Sequence, residues 1–302
     1  MDARDPIEVR GLAKRYGAVE ALRGVDFTVH PGDVVGFLGR NGAGKSTTIR
    51  ILMGITRPSA GEVRMFGEPL GRDLVRWRLR IGYVAQEQSF YGWMTPLTIG
   101  RFASGFFPGW DHAELERLLG VLDVPPKRRI GTFSGGTKVK LALALALAHR
   151  PPLLVLAEPT AGLDPVARRE FLEIVRAENE RSGRTTFFSS HLVDEIELVA
   201  RRVAILEDGR TRYEGTIEAL VERARRIRVP LVDETSEVTA RAAVDAAGLA
   251  VLHHEVRDGE VRAIVQAPDP SAFDALAQLA PDIALERLPL EEIFIAMVRR
   301  RR

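Results

Sequence analysis

Gly39-Arg40-Asn41-Gly42-Ala43-Gly44-Lys45-Ser46-Thr47 is the stretch that decides the fold of this chain. It fits G-x-x-x-x-G-K-[ST] and sits between an apolar β-rich run, Val34 to Leu38, and a helical one, Thr48 to Met53, which is the context a phosphate-binding loop requires. The glycines allow successive backbone N–H groups to turn toward one point without Cβ clashes, and the following helix adds the positive end of its dipole. Lys45 is placed to neutralise β- and γ-phosphate oxygens, and the Ser46 hydroxyl to ligate Mg²⁺. A nucleoside triphosphate is the ligand this stretch predicts.

Working outward, strand and helix signals alternate. Ile7-Glu8-Val9 and Val25-Asp26-Phe27-Thr28-Val29 alternate as strands ahead of the loop, with Tyr16 in the same early sheet. Downstream, Gly61 to Gly67 and Ile81 to Gln86 read as strands, Asp111 to Leu122 as an amphipathic helix capped by Asp111, and Lys138 to His149 as a helix opened by Phe133-Ser134-Gly135-Gly136-Thr137. Leu153 to Leu156 is a buried-type strand leading into Ala157-Glu158-Pro159-Thr160-Ala161-Gly162-Leu163-Asp164. A helix (Val166 to Asn179), a strand (Thr185 to Ser189), His191, a helix from Val193 and a strand (Val203 to Leu206) follow. That alternation predicts an α/β fold of the P-loop NTPase type: a mostly parallel sheet with nucleotide at the strands' C-terminal ends, an N-terminal antiparallel β subdomain and a helical subdomain at about 87–150.

Beyond the charged helical stretch Ile217 to Arg226 the pattern changes to strand 227–232, helix 238–247, a hairpin of 251–257 and 261–266 about Asp258-Gly259, helix 271–279, strand 283–288 and helix 290–298. This β-α-β-β-α-β order predicts a small C-terminal α+β, ferredoxin-like domain over 221–302, with residues 1–220 forming the nucleotide-binding domain. The closing run Arg299 to Arg302 reads as a solvated helix end that complements the dipole.

Composition excludes several classes. Lys+Arg 43 against Asp+Glu 41 leaves a formal charge of +2 on 302 residues, too little to argue for nucleic acid. Cysteine is absent, so there is neither a disulfide framework nor a thiolate metal site, in keeping with a reducing cytosol. The longest apolar run, Leu141 to Ala148, is far short of the roughly 20 residues a membrane-spanning helix needs. The start, Met1-Asp2-Ala3-Arg4-Asp5-Pro6, is polar and has no signal-peptide core. Eight aromatics fall between Tyr83 and Trp110, a density that suggests a docking groove as well as a local core.

Taken together, residues 7–220 resemble the ATP-binding subunit of an ABC transporter. Phe133-Ser134-Gly135-Gly136-Thr137 is similar to the family's signature motif, with Phe and Thr replacing its usual Leu and Gln; Gln86 matches the Q-loop glutamine, Ala161 to Asp164 the D-loop, His191 the switch histidine and Tyr16 the adenine-stacking aromatic. The tail ending Leu290-Glu291-Glu292-Ile293-Phe294 is similar to those of ABC-2-type exporter ATPases. The resemblance implies that Gly39 to Thr47 and Tyr16 of one copy, with Ser134, Gly135, Gly136 and Asp164 of another, enclose ATP in a head-to-tail dimer of two copies or of paralogous subunits. It further implies that Glu158 polarises the attacking water, that His191 contacts the γ-phosphate, and that Gln86, beside Ser46 at Mg²⁺, links the metal to the aromatic region. A separate integral-membrane permease would be the partner, placing the chain in the cytoplasm against the inner face of the membrane. One position departs: the family carries an aspartate before the glutamate, where it holds Mg²⁺ through water, and this chain has Ala157. Weakened metal holding and hydrolysis are expected. The alternatives are a non-transport ABC ATPase acting on ribosome or nucleic acid, and a nucleotide-responsive regulator that closes on ATP without cycling.

Overall fold

The computed structural model describes residues 4–71, 74–231, 236–257, 259–280 and 282–298; Val232, Asp258 and Arg299 to Arg302, each assigned above to an element, lie outside them. The chain divides into two compact units, Met1–Glu214 and Gly215–Arg302.

The first unit runs β1 (Ile7–Tyr16), β2 (Val19–Val29), β3 (Val34–Gly39), α1 (Lys45–Leu52), β4 (Ala60–Met65), β5 (Glu68–Pro69), α2 (Leu74–Arg78), β6 (Ile81–Val84), α3 (Pro96–Ser104), α4 (His112–Val121), α5 (Gly135–Leu147), β7 (Leu153–Ala157), α6 (Pro165–Ser182), β8 (Thr185–Ser190), α7 (Val193–Val199), β9 (Arg202–Glu207) and β10 (Arg210–Thr216), the last crossing the division. Six strands form one sheet in the order β10-β9-β3-β8-β7-β6, in which β9/β3, β3/β8, β8/β7 and β7/β6 pair in parallel. Every residue of β7 and β8 is buried, as expected for strands covered on both faces. The order matters for function: β3, β8 and β7 are neighbours, so the turns leaving their C-terminal ends emerge side by side.

A second sheet, β2-β1-β4-β5, is antiparallel throughout and shares its core with the first. Phe27 of β2 stacks on Phe187 of β8 at 5.2 Å, and Phe37 of β3 meets the same ring at 5.0 Å. Three aromatic rings, each at most 1% exposed, thus hold the antiparallel sheet over the parallel one. The helices between β6 and β7 begin where cap residues dictate. Thr95 and Thr98 form a reciprocal box at α3, Asp111 accepts from Glu114 N at 3.0 Å at α4, and Ser134 accepts from Thr137 N at 3.2 Å at α5.

In the second unit α8 (Ile217–Glu222) precedes β11 (Ala224–Pro230), α9 (Ser236–Ala246), β12 (Ala250–Arg257), β13 (Glu260–Gln266), α10 (Ala272–Leu279), β14 (Ala284–Arg287) and α11 (Leu290–Val298). The sheet order is β12-β13-β11-β14, with β11 antiparallel to both neighbours, which is the ferredoxin-like arrangement. Its own core gathers Ile227, Val244, Val265, Phe273 and Leu276. The clearest differences from the sequence reading fall at β11 and β10. Ala224 to Arg226 belong to β11 because their backbone pairs with Ile264 to Gln266, and this outweighs the helical propensity of the run. β10 was not read at all, because its residues alternate between half-buried and exposed with little apolar content.

Candidate functional site

The chain leaves β3 at Gly39 and turns into α1 through a loop whose geometry only glycine allows at two points. Gly42 and Gly44 have φ of +85° and +111°, and a Cβ on Gly44 would lie 2.5 Å from Leu22 Cδ2 and 3.0 Å from Ala21 O. Gly44 is also the N-cap of α1 and offers no side chain, so no side chain of the cap takes up the helix's first N–H groups. Lys45 is 4% exposed, and its ammonium donates to Gly39 O at 2.6 Å and Arg40 O at 3.3 Å while lying 3.1 Å from Glu158 Oε1.

Glu158 is the residue after β7, and its φ is +43°. Its backbone N–H lies 3.1 Å from both the carbonyl and the hydroxyl oxygen of Ser189 on β8, which pins the turn to the neighbouring strand. The other carboxylate oxygen lies 3.2 Å from His191 Nδ1, just past the end of β8. A chain Lys45–Glu158–His191 therefore crosses the three adjacent strand ends. Around it lies a cleft of about 450 Å³ lined by Asn41, Gly42, Gly44 to Thr47, Gln86, Glu158, Thr160, Arg168, Ser190, His191 and Glu195, among others. Two cations, backbone N–H groups, hydroxyls and two carboxylates paired with cations meet in it, a set that suits a polyphosphate and a water to be activated beside it.

Of the residues singled out from sequence, the cleft gathers Asn41, Gly42, Gly44 to Thr47, Gln86, Glu158 and His191, while Gly39, Arg40 and Ala43 of the loop do not line it. Ser134, Gly135, Gly136 and Asp164 do not line it. Ser134 caps α5; Asp164 caps α6 by accepting from Val166 N and Ala167 N at 3.0 Å each. Tyr16 does not line it either: its ring is 44% exposed, with the Lys14 ammonium 4.8 Å above it. Ala157 ends β7 opposite Ser189, its methyl part of the core. Sequence reading passed over Thr160, Arg168, Ser190 and Glu195. The signal available reached only two of them: Ser190 adjoins His191 and Thr160 follows Glu158 by two positions, while nothing local marked Arg168 or Glu195.

Ser46 and Gln86 offer a hydroxyl and an amide oxygen to the cleft, the hard neutral donors that suit a Mg²⁺ arriving on nucleotide with most of its shell supplied by phosphate and water. Among the described residues no group of three His, Cys, Asp or Glu forms a cage for a metal.

A P-loop beside a strand-end glutamate and histidine, on a parallel sheet carrying an antiparallel subdomain, defines a nucleotide-binding cassette. The family model for ABC transporters matches residues 22–161. The chain is 34% identical over 259 residues to the bacitracin transport ATP-binding protein BcrA of Bacillus licheniformis, covering 84% of this chain and 81% of that one. It is 38% identical over 223 residues to the Nod factor export ATP-binding protein I of Burkholderia lata, covering 72% and 73%. It superimposes on a solved ATP-binding subunit of an ABC transporter with a TM-score of 0.64 at 31% identity, over 71% of this chain and 91% of that one. A bacterial ABC transporter cassette solved as a dimer gives 0.63 at 24% identity and supports the fold alone. The chain belongs to the ABC transporter ATP-binding family.

Proposed function

We propose that this chain is the ATP-hydrolysing motor subunit of an export-type ABC transporter, closing in pairs around MgATP and driving a separate membrane permease. The observation that carries the reading is the cleft: phosphate loop, Glu158 and His191 converge in it, while the Ser134 turn, a second glycine-rich helix start, stays outside. One copy leaves the γ-phosphate open on one side, and a second copy's Ser134-Gly135-Gly136 turn would supply the missing donors, each surface meeting its complement twice. Lys45 would exchange Glu158 for phosphate oxygens, freeing the carboxylate to orient water with His191 alongside. Mg²⁺, held through Ser46 and Gln86, would supply charge neutralisation between the β- and γ-phosphates. Ala157 removes the carboxylate that steadies the metal's water shell, so turnover is weakened.

Export is suggested by what the relatives are named for, bacitracin transport and Nod factor export. No helix among the described residues is long and apolar enough to cross a membrane, so a permease would be another chain. Tyr91, Trp93, Phe102 and Phe106 are exposed and are our choice for its docking surface, whereas Phe107 stacks on His149 and is only half-buried. Affinity purification from solubilised membranes tests the reading: a co-purifying permease and a mass that doubles in saturating ATP are expected. Recovery of ribosomes without a permease, or a strict monomer in ATP, would refute it. Ala157 favours one second reading, a regulator that closes on ATP without cycling, for which closure without phosphate release is the diagnostic.

A further inference from the structure

One carboxylate in the cleft has no part in the chemistry above. Glu195, in the first turn of α7, is 2% exposed. Burying a carboxylate is costly unless its oxygens are partnered, and here three partners converge. Thr160 Oγ1 donates to Oε1 at 2.7 Å, Ser190 Oγ donates to Oε2 at 2.5 Å, and Arg168 Nε lies 3.3 Å from Oε1 as an ion pair. Both hydroxyl residues are themselves buried, at 3% and 1% exposure, so neither can turn to solvent instead.

The partners' places in the chain give the cluster its meaning. Thr160 is two residues after Glu158, Ser190 directly precedes His191, and Arg168 is four residues beyond the α6 cap Asp164. Ser190 also accepts from Leu192 N at 3.0 Å, so its hydroxyl clasps the backbone on the far side of His191 while tied to Glu195. Thr160 sits inside a turn that begins at the left-handed Glu158 and is closed by Ala161 N to Glu158 O and Leu163 N to Thr160 O, both 3.1 Å. A non-glycine residue holds φ of +43° only where its surroundings impose it.

We propose that Glu195 is a positioning residue for hydrolysis. By holding Thr160, Ser190 and Arg168 at one buried carboxylate it sets the separation of Glu158 from His191 and ties both to the start of α6. The proposal rests on the roles given above to Glu158 and His191, and deepens them. Glu195 touches no reacting atom; it acts by fixing the turns that carry those that do, as outer partners of catalytic groups do elsewhere.

The test uses the full chain: single-turnover hydrolysis of radiolabelled ATP, ATP titration and backbone amide exchange, in the unaltered protein and in Glu195→Gln, Thr160→Val, Glu158→Gln and the Glu158→Gln/Glu195→Gln pair. Glu195→Gln keeps the volume and one acceptor but cannot serve both hydroxyls and Arg168. It is expected to slow hydrolysis about 10–100-fold with ATP affinity changed by less than about 2-fold, Thr160→Val following in the same direction. In the Glu158→Gln background it should slow nothing further, since a positioning residue has no effect once the group it positions is gone. The amides of Glu158, of Thr160 to Leu163 and of Leu192 should exchange faster while those of β3 and β7 do not. An unchanged rate, losses that multiply in the double variant, or faster exchange throughout the parallel sheet with a lowered Tm would overturn the proposal, the last by showing a general structural role. Should Glu158→Gln hydrolyse ATP at the unaltered rate, the assignment of Glu158 fails separately; unaltered exchange at the amides of Glu158, of Thr160 to Leu163 and of Leu192 would then overturn the positioning role as well.

Discussion

Lys45 occupies its ammonium entirely within the protein, on Gly39 O, Arg40 O and Glu158. Nucleotide phosphates therefore compete with an internal carboxylate, and the outcome depends on a charge that is 4% exposed. A hydrogen bond to a charged group contributes about 1.5–3 kcal/mol, so Lys45→Ala is expected to weaken ATP binding about 10–100-fold in an equilibrium titration. Ala157 makes the opposite prediction. An aspartate there restores a carboxylate to the metal's outer shell, and Ala157→Asp should raise steady-state Mg²⁺-dependent turnover about 10–100-fold; equal rates would show that the site does not need that group. Lys45 was legible from the spacing of its own phosphate loop, whereas Glu158 and His191 were legible only through the resemblance that the order of several motifs carries. Glu195 was legible in neither way, because its meaning comes from hydroxyls 5 and 35 residues away that only the folded chain brings to it.

At the scale of elements, α4 and α6 are joined by a reciprocal set of charges. Arg117 of α4 forks onto Glu178 of α6 at 3.0 and 2.8 Å, and Arg181 of α6 reaches back to Glu114 of α4 at 2.8 Å. Both carboxylates are nearly buried and share the two guanidinium groups, so removing Arg117 leaves both of them on Arg181. Arg117→Ala should cost about 1.5–3 kcal/mol in urea unfolding, and Arg117→Lys should recover only part of it, since an ammonium cannot make the fork. The guanidinium bonds hold Glu114 and Glu178 below the usual carboxylate range against the opposing effect of burial. A carboxylate with a depressed folded pKa contributes stability above its unfolded value, so this contribution fades as pH falls below 4.5. His149, after α5, works in a separate window. Burial against Phe107 lowers its pKa from 6.5 to about 4, so the unfolded chain takes up a proton that the folded one refuses. Stability should therefore decline as pH is lowered from 6.5 toward 4, and His149→Asn should have a shallower decline over that range in thermal unfolding. Two helices were legible from their caps, since Asp111 and Ser134 accept the N–H bonds that end-residue chemistry predicts, whereas Asp164, read as part of the D-loop, proves to cap α6. β10 was not legible, because an edge strand with a mainly polar sequence is held by pairing with β9 and by contacts such as Thr211 with Asp26, neither of which leaves a local pattern.

For the whole molecule, every residue lining the cleft lies in the unit Met1–Glu214, and the second unit closes its own core around its own sheet. A chain ending at Thr216, which keeps β10 intact, is thus expected to bind ATP within about 2-fold of the full chain's affinity in the same titration; a larger loss would mean that the C-terminal unit contributes to the site. The same separation explains why the ferredoxin-like unit was readable as a class: its β-α-β-β-α-β order follows from local periodicity, and once the order is given few sheet arrangements remain.

What the sequence determined by itself was the phosphate loop, the alternation of strands and helices and the order of the two units, because backbone conformation and amphipathic period are set by residues close together in the chain. What only the tertiary structure decided was which strand ends lie side by side. The order β3-β8-β7 puts Glu158 between Lys45, at 3.1 Å, and His191, at 3.2 Å, and it leaves the Ser134 turn outside the cleft. Neither fact is written in any stretch of sequence, because strand order comes from how the sheets bury their shared aromatic core and not from the residues of any one strand.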